Sequence, residues 1–298
     1  MRIGLIGIDG KKPNLALMKI STYYKNKGHF VKLINIDEKD NFDKVYGSKI
    51  FSWGSLGEEF DDVRLAGSGI DFNISLPEEI EHLCPDYSLY DMDYSMGFLT
   101  RGCIRNCDFC IVPKKEGKIR RASDIEEFLK HDQVVLLDNN VLAHPYGLKQ
   151  IEKIIKLKIK VDFNQGLDAR LIDNDIAKLL SNVRWLKPLR LACDNSSMER
   201  YVERAVKLLH KNNVTPKRYF CYMLVKDDIE EAHERALFLD GLKIDPFAQP
   251  YRDREGNESP KEFKRFARWV NHKAIFRSVK WEDYDPKALN KKSKLGLR

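Results

Sequence analysis

Two rhythms of apolar and polar positions run along the chain. Arg2-Ile3-Gly4-Leu5-Ile6-Gly7-Ile8 is a continuous apolar run that stops at Asp9-Gly10, the pattern of a buried strand. From Asn14 to Lys27, Leu15, Leu17, Met18 and Ile20 line one side of a helix, and Gly28 stands in the C-terminal capping place. Further strands are predicted at Phe30 to Ile34, Val45 to Phe51 and Val63-Arg64-Leu65, the last leading into Gly67-Ser68-Gly69. Between Ile34 and Val45 there is no room for a helix of ordinary length. Leu76 to Leu83 reads as a short helix with Pro77 in its first turn, and the stretch to Asp93 as a link.

From Met96 the pattern changes to regular alternation. A strand is expected at Gly97 to Thr100, and strand cores recur at Val134–Leu137, Val161–Phe163, Leu189–Ala192, Tyr219–Leu224 and Ile244–Phe247. Starts 27, 28, 30 and 25 residues apart match the period of a βα unit in a parallel barrel. Helices fill the gaps at Leu148–Leu157, Asn174–Leu180, Met198–Leu209 and Ile229–Leu239. Capping boxes are read at Ser123–Glu126, Ser196–Glu199, Asp227–Glu230 and Ser259–Glu262. A last helix, Lys261 to Phe276, carries Phe263, Phe266, Trp269, Val270 and Phe276 on one face, suited to covering the barrel's open side. The expected fold class is α/β. Residues 1–90 form a trimmed Rossmann-like domain, residues 91–255 a partial (β/α)6 barrel of the TIM type, and residues 256–298 a basic helical extension.

Composition narrows the class. At 298 residues, with 43% hydrophobic and 33% charged positions, the chain has the make-up of a soluble globular protein. No apolar run reaches membrane-spanning length, and Met1 leads into a strand-like segment, not a signal peptide. The net charge of +7 is concentrated at the end: residues 261–298 hold 12 Lys/Arg against 4 Asp/Glu, while the rest is near neutral. A basic tail of this kind suits nucleic acid or another polyanion, and equally a solvated helix with a frayed end. Three of the six cysteines are clustered, which argues for a metal site in a reducing, cytoplasmic compartment over a disulfide framework.

That cluster lies in Thr100-Arg101-Gly102-Cys103-Ile104-Arg105-Asn106-Cys107-Asp108-Phe109-Cys110, with a C-x3-C-x2-C spacing. Soft thiolates favour zinc or iron–sulfur clusters. Structural zinc and four-iron clusters ordinarily take four protein ligands, yet the next Cys or His residues, Cys84, His131 and His144, are distant in sequence. Three ligands leave one metal position open, which marks a catalytic site. A zinc knuckle in an RNA-binding protein is the rival reading. Cys193 and Cys221 fall within strands and read as core.

In these residues the chain resembles the radical S-adenosylmethionine (SAM) superfamily, whose members carry C-x3-C-x-aromatic-C; Phe109 supplies the aromatic. The run-in Gly97-Phe98-Leu99-Thr100-Arg101-Gly102-Cys103 is similar to that of the branch with an N-terminal cobalamin-binding-like domain. The resemblance implies a 4Fe-4S cluster on Cys103, Cys107 and Cys110, with SAM on the open iron. It further implies reductive cleavage of SAM to methionine and a 5′-deoxyadenosyl radical that abstracts a substrate hydrogen, fed by an electron donor such as flavodoxin or ferredoxin. Phe109 would lie against the adenine.

Parallel barrels place their sites at the C-terminal ends of strands. In the family, the loop after the second strand binds the SAM ammonium; here Asp138-Asn139-Asn140 holds that place, with Asp138 or Asn140 as the expected acceptor. Asn164-Gln165-Gly166-Leu167-Asp168-Ala169-Arg170 is similar to a run in the cobalamin-type branch. Arg170 could pair with the methionine carboxylate or form a plain salt bridge, Gln165 and Asp168 are candidates for ribose or substrate, and Asp194 for the ribose hydroxyls. The cobalamin pattern itself is only approximate: Lys11 stands in the axial-histidine place, and Ser48-Lys49-Ile50 and Gly67-Ser68-Gly69 are loose matches. Cobalamin-free hydrogen abstraction is therefore expected ahead of cobalamin-dependent methyl transfer.

Overall fold

The first apolar run forms strand β1 (Arg2–Gly7), followed by helix α1 (Leu15–Asn26). Asn14 caps α1 by accepting the Leu17 N–H at 3.2 Å, satisfying one of the amides that every helix start leaves open. Gly28, at φ +75°, ends the helix as expected. The computed structural model describes residues 1–10, 12–214 and 218–286, so Lys11 and the end of the basic tail lie outside the described residues. Strands β2 (Phe30–Leu33), β3 (Lys44–Ser48) and β4 (Arg64–Ala66) complete a parallel sheet ordered β2-β1-β3-β4. A 3-10 turn at Ile36–Asn41 is all that joins β2 to β3. Ile3, Leu5 and Leu17 interlock, essentially without exposure, between sheet and helix.

The chain continues through α2 (Glu78–Glu81), β5 (Ser95–Gly97), β6 (Thr100–Arg101), α3 (Val112–Lys115), β7 (Arg120–Arg121), α4 (Ile125–Phe128), β8 (Gln133–Leu136), α5 (Pro145–Lys156) and β9 (Lys160–Phe163). With β10 (Arg184–Trp185), three of these make a second parallel sheet, ordered β10-β9-β8-β5, while β6 and β7 pair antiparallel. These elements share one unit with the first sheet: Met1–Leu167, Asn182–Lys187 and Asp253–Gly256. The strand expected at Gly97 to Thr100 is broken, because the Leu99 and Thr100 amides turn aside to the Asp138 carboxylate and leave the ladder. The α4 cap is Asp124 with Glu127, one residue beyond the expected pair; Asp124 also receives Gln150 and Lys153 from α5.

The second unit comprises Asp168–Ser181, Pro188–Arg252 and the chain from Asn257 on. It holds α6 (Asn174–Ser181), β11 (Leu189–Ala192), α7 (Glu199–Lys211), β12 (Tyr219–Val225), α8 (Ile229–Gly241), β13 (Ile244–Pro250), α9 (Lys261–Asn271) and α10 (Lys273–Ser278). Its parallel sheet runs β11-β12-β13, and Pro246 sits on the edge strand, where a missing amide hydrogen is tolerated. The long C-terminal helix is divided at His272 into α9 and α10. Phe266, Ala267, Trp269 and Val270 bury the apolar face of α9, and the Asn271 amide bridges the N–H and C=O of Ala248 in β13 at 2.8 and 3.0 Å. The fold is thus mixed α/β with parallel sheets, and no described helix is long and apolar enough to cross a membrane.

Candidate functional site

The cysteine loop is anchored at both ends. Upstream, Asp138, just past β8 and only 4% exposed, accepts from Leu99 N–H at 3.1 Å, Thr100 N–H at 2.6 Å and Thr100 Oγ1 at 2.7 Å. Burial pushes its carboxyl up to about 6, against the opposing pull of these donors. Both oxygens face the loop's root, so Asp138 tethers the loop where an ammonium contact was expected of it. The β6–β7 pairing (Thr100 with Arg121, Arg101 with Arg120) brackets the segment between them. Gly102, at φ +82°, passes so close to the Lys118 and Gly117 carbonyls that a Cβ would lie 2.4 and 2.7 Å from them. Only glycine fits.

Glu116 is the second anchor. Its carboxylate accepts from Gly102 N–H at 2.8 Å, Arg101 Nη1 at 3.1 Å and Asn139 Nδ2 at 2.8 Å. Nothing in the sequence marks it, because its role exists only once the loop returns past Cys110 to meet the end of β8. Asn139 is thereby placed on Glu116, and Asn140 reaches the loop itself, its Nδ2 lying 3.6 Å from Cys103 Sγ. The Arg105 N–H points at the same sulfur from 3.3 Å. Cys110 N–H donates to the Cys107 carbonyl at 3.1 Å, and all three cysteines and Phe109 are half-buried.

The donor set is chemically suited to a soft metal or iron–sulfur cluster: three thiols on one anchored loop, one sulfur already facing two N–H donors of the kind that tune thiolate ligands. Among the described residues, no three His, Cys, Asp or Glu side chains are grouped to hold a metal ion.

Beside the loop lies a cavity of about 910 Å³, within the range of small-molecule sites. Its walls come from the carboxyl ends of strands in both parallel sheets of this unit: Ser48 ends β3, Asn139 follows β8 and Gln165 follows β9. Lys115 and Glu116 bring the cysteine loop to the same cavity. Two of its carboxylates are engaged, Glu116 as described and Glu81 by Lys19 at 3.2 Å and Arg101 at 3.4 Å.

The other expected residues belong to the second unit. Arg170 forks onto Asp168, Nε to Oδ1 at 2.7 Å and Nη2 to Oδ2 at 3.2 Å, so of its two readings the structure displays the salt bridge. Asp194 follows β11, half-buried, its carboxyl raised by burial and held back by nearby Arg235. Arg235, 2% exposed, clamps the Cys193 and Leu224 carbonyls at 2.7 and 2.9 Å. Cys193 and Cys221 are fully buried and burial raises both thiols, as suits core residues. Cys84 is half-buried, packed against the cluster of Met18, Tyr87 and Met96.

No protein-family model matches the chain, and no curated protein matches it.

Proposed function

We propose that this protein is a radical SAM enzyme whose Cys103, Cys107 and Cys110 hold a 4Fe-4S cluster. One observation carries the reading: the C-x3-C-x2-C loop is tied to the carboxyl end of a parallel strand by Asp138, and that strand's Asn140 amide rests on the Cys103 sulfur. When bound, the cluster supplies the electron that cleaves SAM to methionine and a 5′-deoxyadenosyl radical. The chain's own share is placement and shelter. Asp138 and Glu116 fix the two ends of the loop, the N–H donors on Cys103 stabilise its thiolate, and Asn139 and Gln165 offer polar contacts to SAM in the adjoining cavity.

The finer architecture belongs to the same reading. The βα spacing and the parallel pairing within each sheet support a partial (β/α)6 barrel, preceded by a trimmed Rossmann-like domain and followed by a helical extension. The same reading gives Arg170 the methionine carboxylate in exchange for its Asp168 partner, Asp168 the ribose or substrate, and Asp194 the ribose hydroxyls. Flavodoxin or ferredoxin would supply electrons in the cytoplasm.

Metal identity tests the proposal. After anaerobic reconstitution the wild type is expected to be brown and to hold about four iron and four sulfide per chain. Cys107→Ala should lose the chromophore while keeping its far-UV circular dichroism. A colourless wild type that retains zinc would overturn the reading in favour of a zinc-containing RNA-binding protein.

A further inference from the structure

In the first sheet the chain leaves β1 for β2 on one side and returns to β3 on the other. Open parallel sheets take their ligands outside the carboxyl ends of the strands, at such a reversal. Here those ends give onto the cavity of about 910 Å³. Ser48, the last residue of β3, is 6% exposed; its Oγ accepts from Asn14 Nδ2 at 2.8 Å, and its own proton meets no protein acceptor among the described residues. Ser68, 8% exposed in the Gly67-Ser68-Gly69 turn, donates to the Ile50 carbonyl at 3.1 Å and accepts from Lys115 Nζ at 3.2 Å.

Lys115 is one of the cations on this wall, with Arg101, Arg120 and Arg121. It is half-buried, and among the described residues no carboxylate lies within ion-pair distance of it. Burial holds its ammonium below the ordinary lysine range; neighbouring Glu116 opposes that shift and Arg101 adds to it. Glu116 and Glu81 make their hydrogen bonds and ion pairs to other donors. A half-buried lysine with two N–H groups to spare faces the same cavity as a buried hydroxyl proton, a pair of donors suited to an anion.

We propose that Ser48 and Lys115 seat the phosphate of the substrate, a phosphomonoester whose remaining body extends toward the SAM that Asn139 and Gln165 would contact in the same cavity. Ser68 is a positioning residue that orients Lys115. The two donors line one cavity from separate segments, a strand end and α3, which suits the oxygens of a tetrahedral phosphate better than a planar carboxylate. That the phosphomonoester is the substrate rests on the radical SAM reading; the anion seat itself does not.

The test is titration calorimetry and thermal shift on the full chain, with orthophosphate, adenosine 5′-monophosphate and adenosine as probes. The monophosphate should bind about tenfold or more tightly than adenosine, the worth of a charge-assisted hydrogen bond. Lys115→Gln should erase the difference, Lys115→Arg should keep it, and Ser48→Ala should weaken monophosphate binding several-fold. Midpoints measured without ligand separate a binding loss from a folding loss. Equal binding of adenosine and its monophosphate overturns the seat, as does orthophosphate stabilisation that Lys115→Gln retains. Cobalamin bound at this site without competition from phosphate overturns it too. A colourless zinc protein that passes these tests sinks the radical reading and leaves the seat standing, whereas a brown, SAM-cleaving protein that ignores phosphate sinks the seat alone.

Discussion

Replacing Asp138 with alanine probes the tether on which the cysteine loop depends. The substitution strips acceptors from two buried amides, Leu99 N–H and Thr100 N–H, and from the Thr100 hydroxyl. Each orphaned buried amide costs about 1–3 kcal/mol, so the pair is worth on the order of 2–6 kcal/mol. A second effect opposes it and depends on pH. The carboxyl lies at about 6 in the folded chain against 3.8 for the ordinary group, so between those values the native state binds more protons than the unfolded one. Wild-type stability therefore falls as pH rises through that window, and the loss is complete only above the folded value. At about 1.36 kcal/mol per pH unit, the gap between these two values gives roughly 3 kcal/mol in full, of which about 2 kcal/mol falls between about pH 4.5 and about pH 7.5. Alanine has no carboxyl and escapes this loss. Urea unfolding of both proteins should show a penalty for Asp138→Ala that is about 2 kcal/mol larger at about pH 4.5 than at about pH 7.5. A penalty independent of pH, or one that grows with pH, would refute the reasoning.

Other substitutions address neighbouring parts of the argument. Gly102→Ala forces a Cβ against the Lys118 carbonyl at positive φ and should cost about 1–3 kcal/mol in urea unfolding, with iron uptake falling alongside. Glu116→Ala removes the shared acceptor of Gly102, Arg101 and Asn139; loop residues 102–118 should lose amide-exchange protection while the β11–β13 sheet keeps its own. Trp269→Ala empties the aromatic cluster around α9 and drops the Nε1–H bond to the Val279 carbonyl, at a cost of about 3–5 kcal/mol by the same unfolding assay.

Elements governed by local pattern were legible before any coordinates. Leu189–Ala192 is a strand over the residues its apolar run marks, and α1 starts and stops at the cap residues flanking it. Where two local signals overlap, tertiary contacts decide. Ser123 and Asp124 each precede a glutamate by three residues, and Asp124 becomes the cap, where Gln150 and Lys153 also reach it. The two-residue strand Arg184–Trp185 is too short to show a period, and it exists by pairing with β9. The cysteine spacing stands out in the sequence, whereas the residues that anchor the loop do not. Asp138 resembles any strand-end acid and Glu116 any loop acid until the chain brings the amides of Leu99, Thr100 and Gly102 to them.

The most direct test of the central claim is product analysis. Reconstituted wild type, reduced anaerobically in the presence of SAM, is predicted to release methionine and 5′-deoxyadenosine, and the Cys103→Ala, Cys107→Ala and Cys110→Ala variants to release neither. Intact SAM after exhaustive reduction of an iron-loaded wild type, or undiminished cleavage by any of the three variants, would contradict the account.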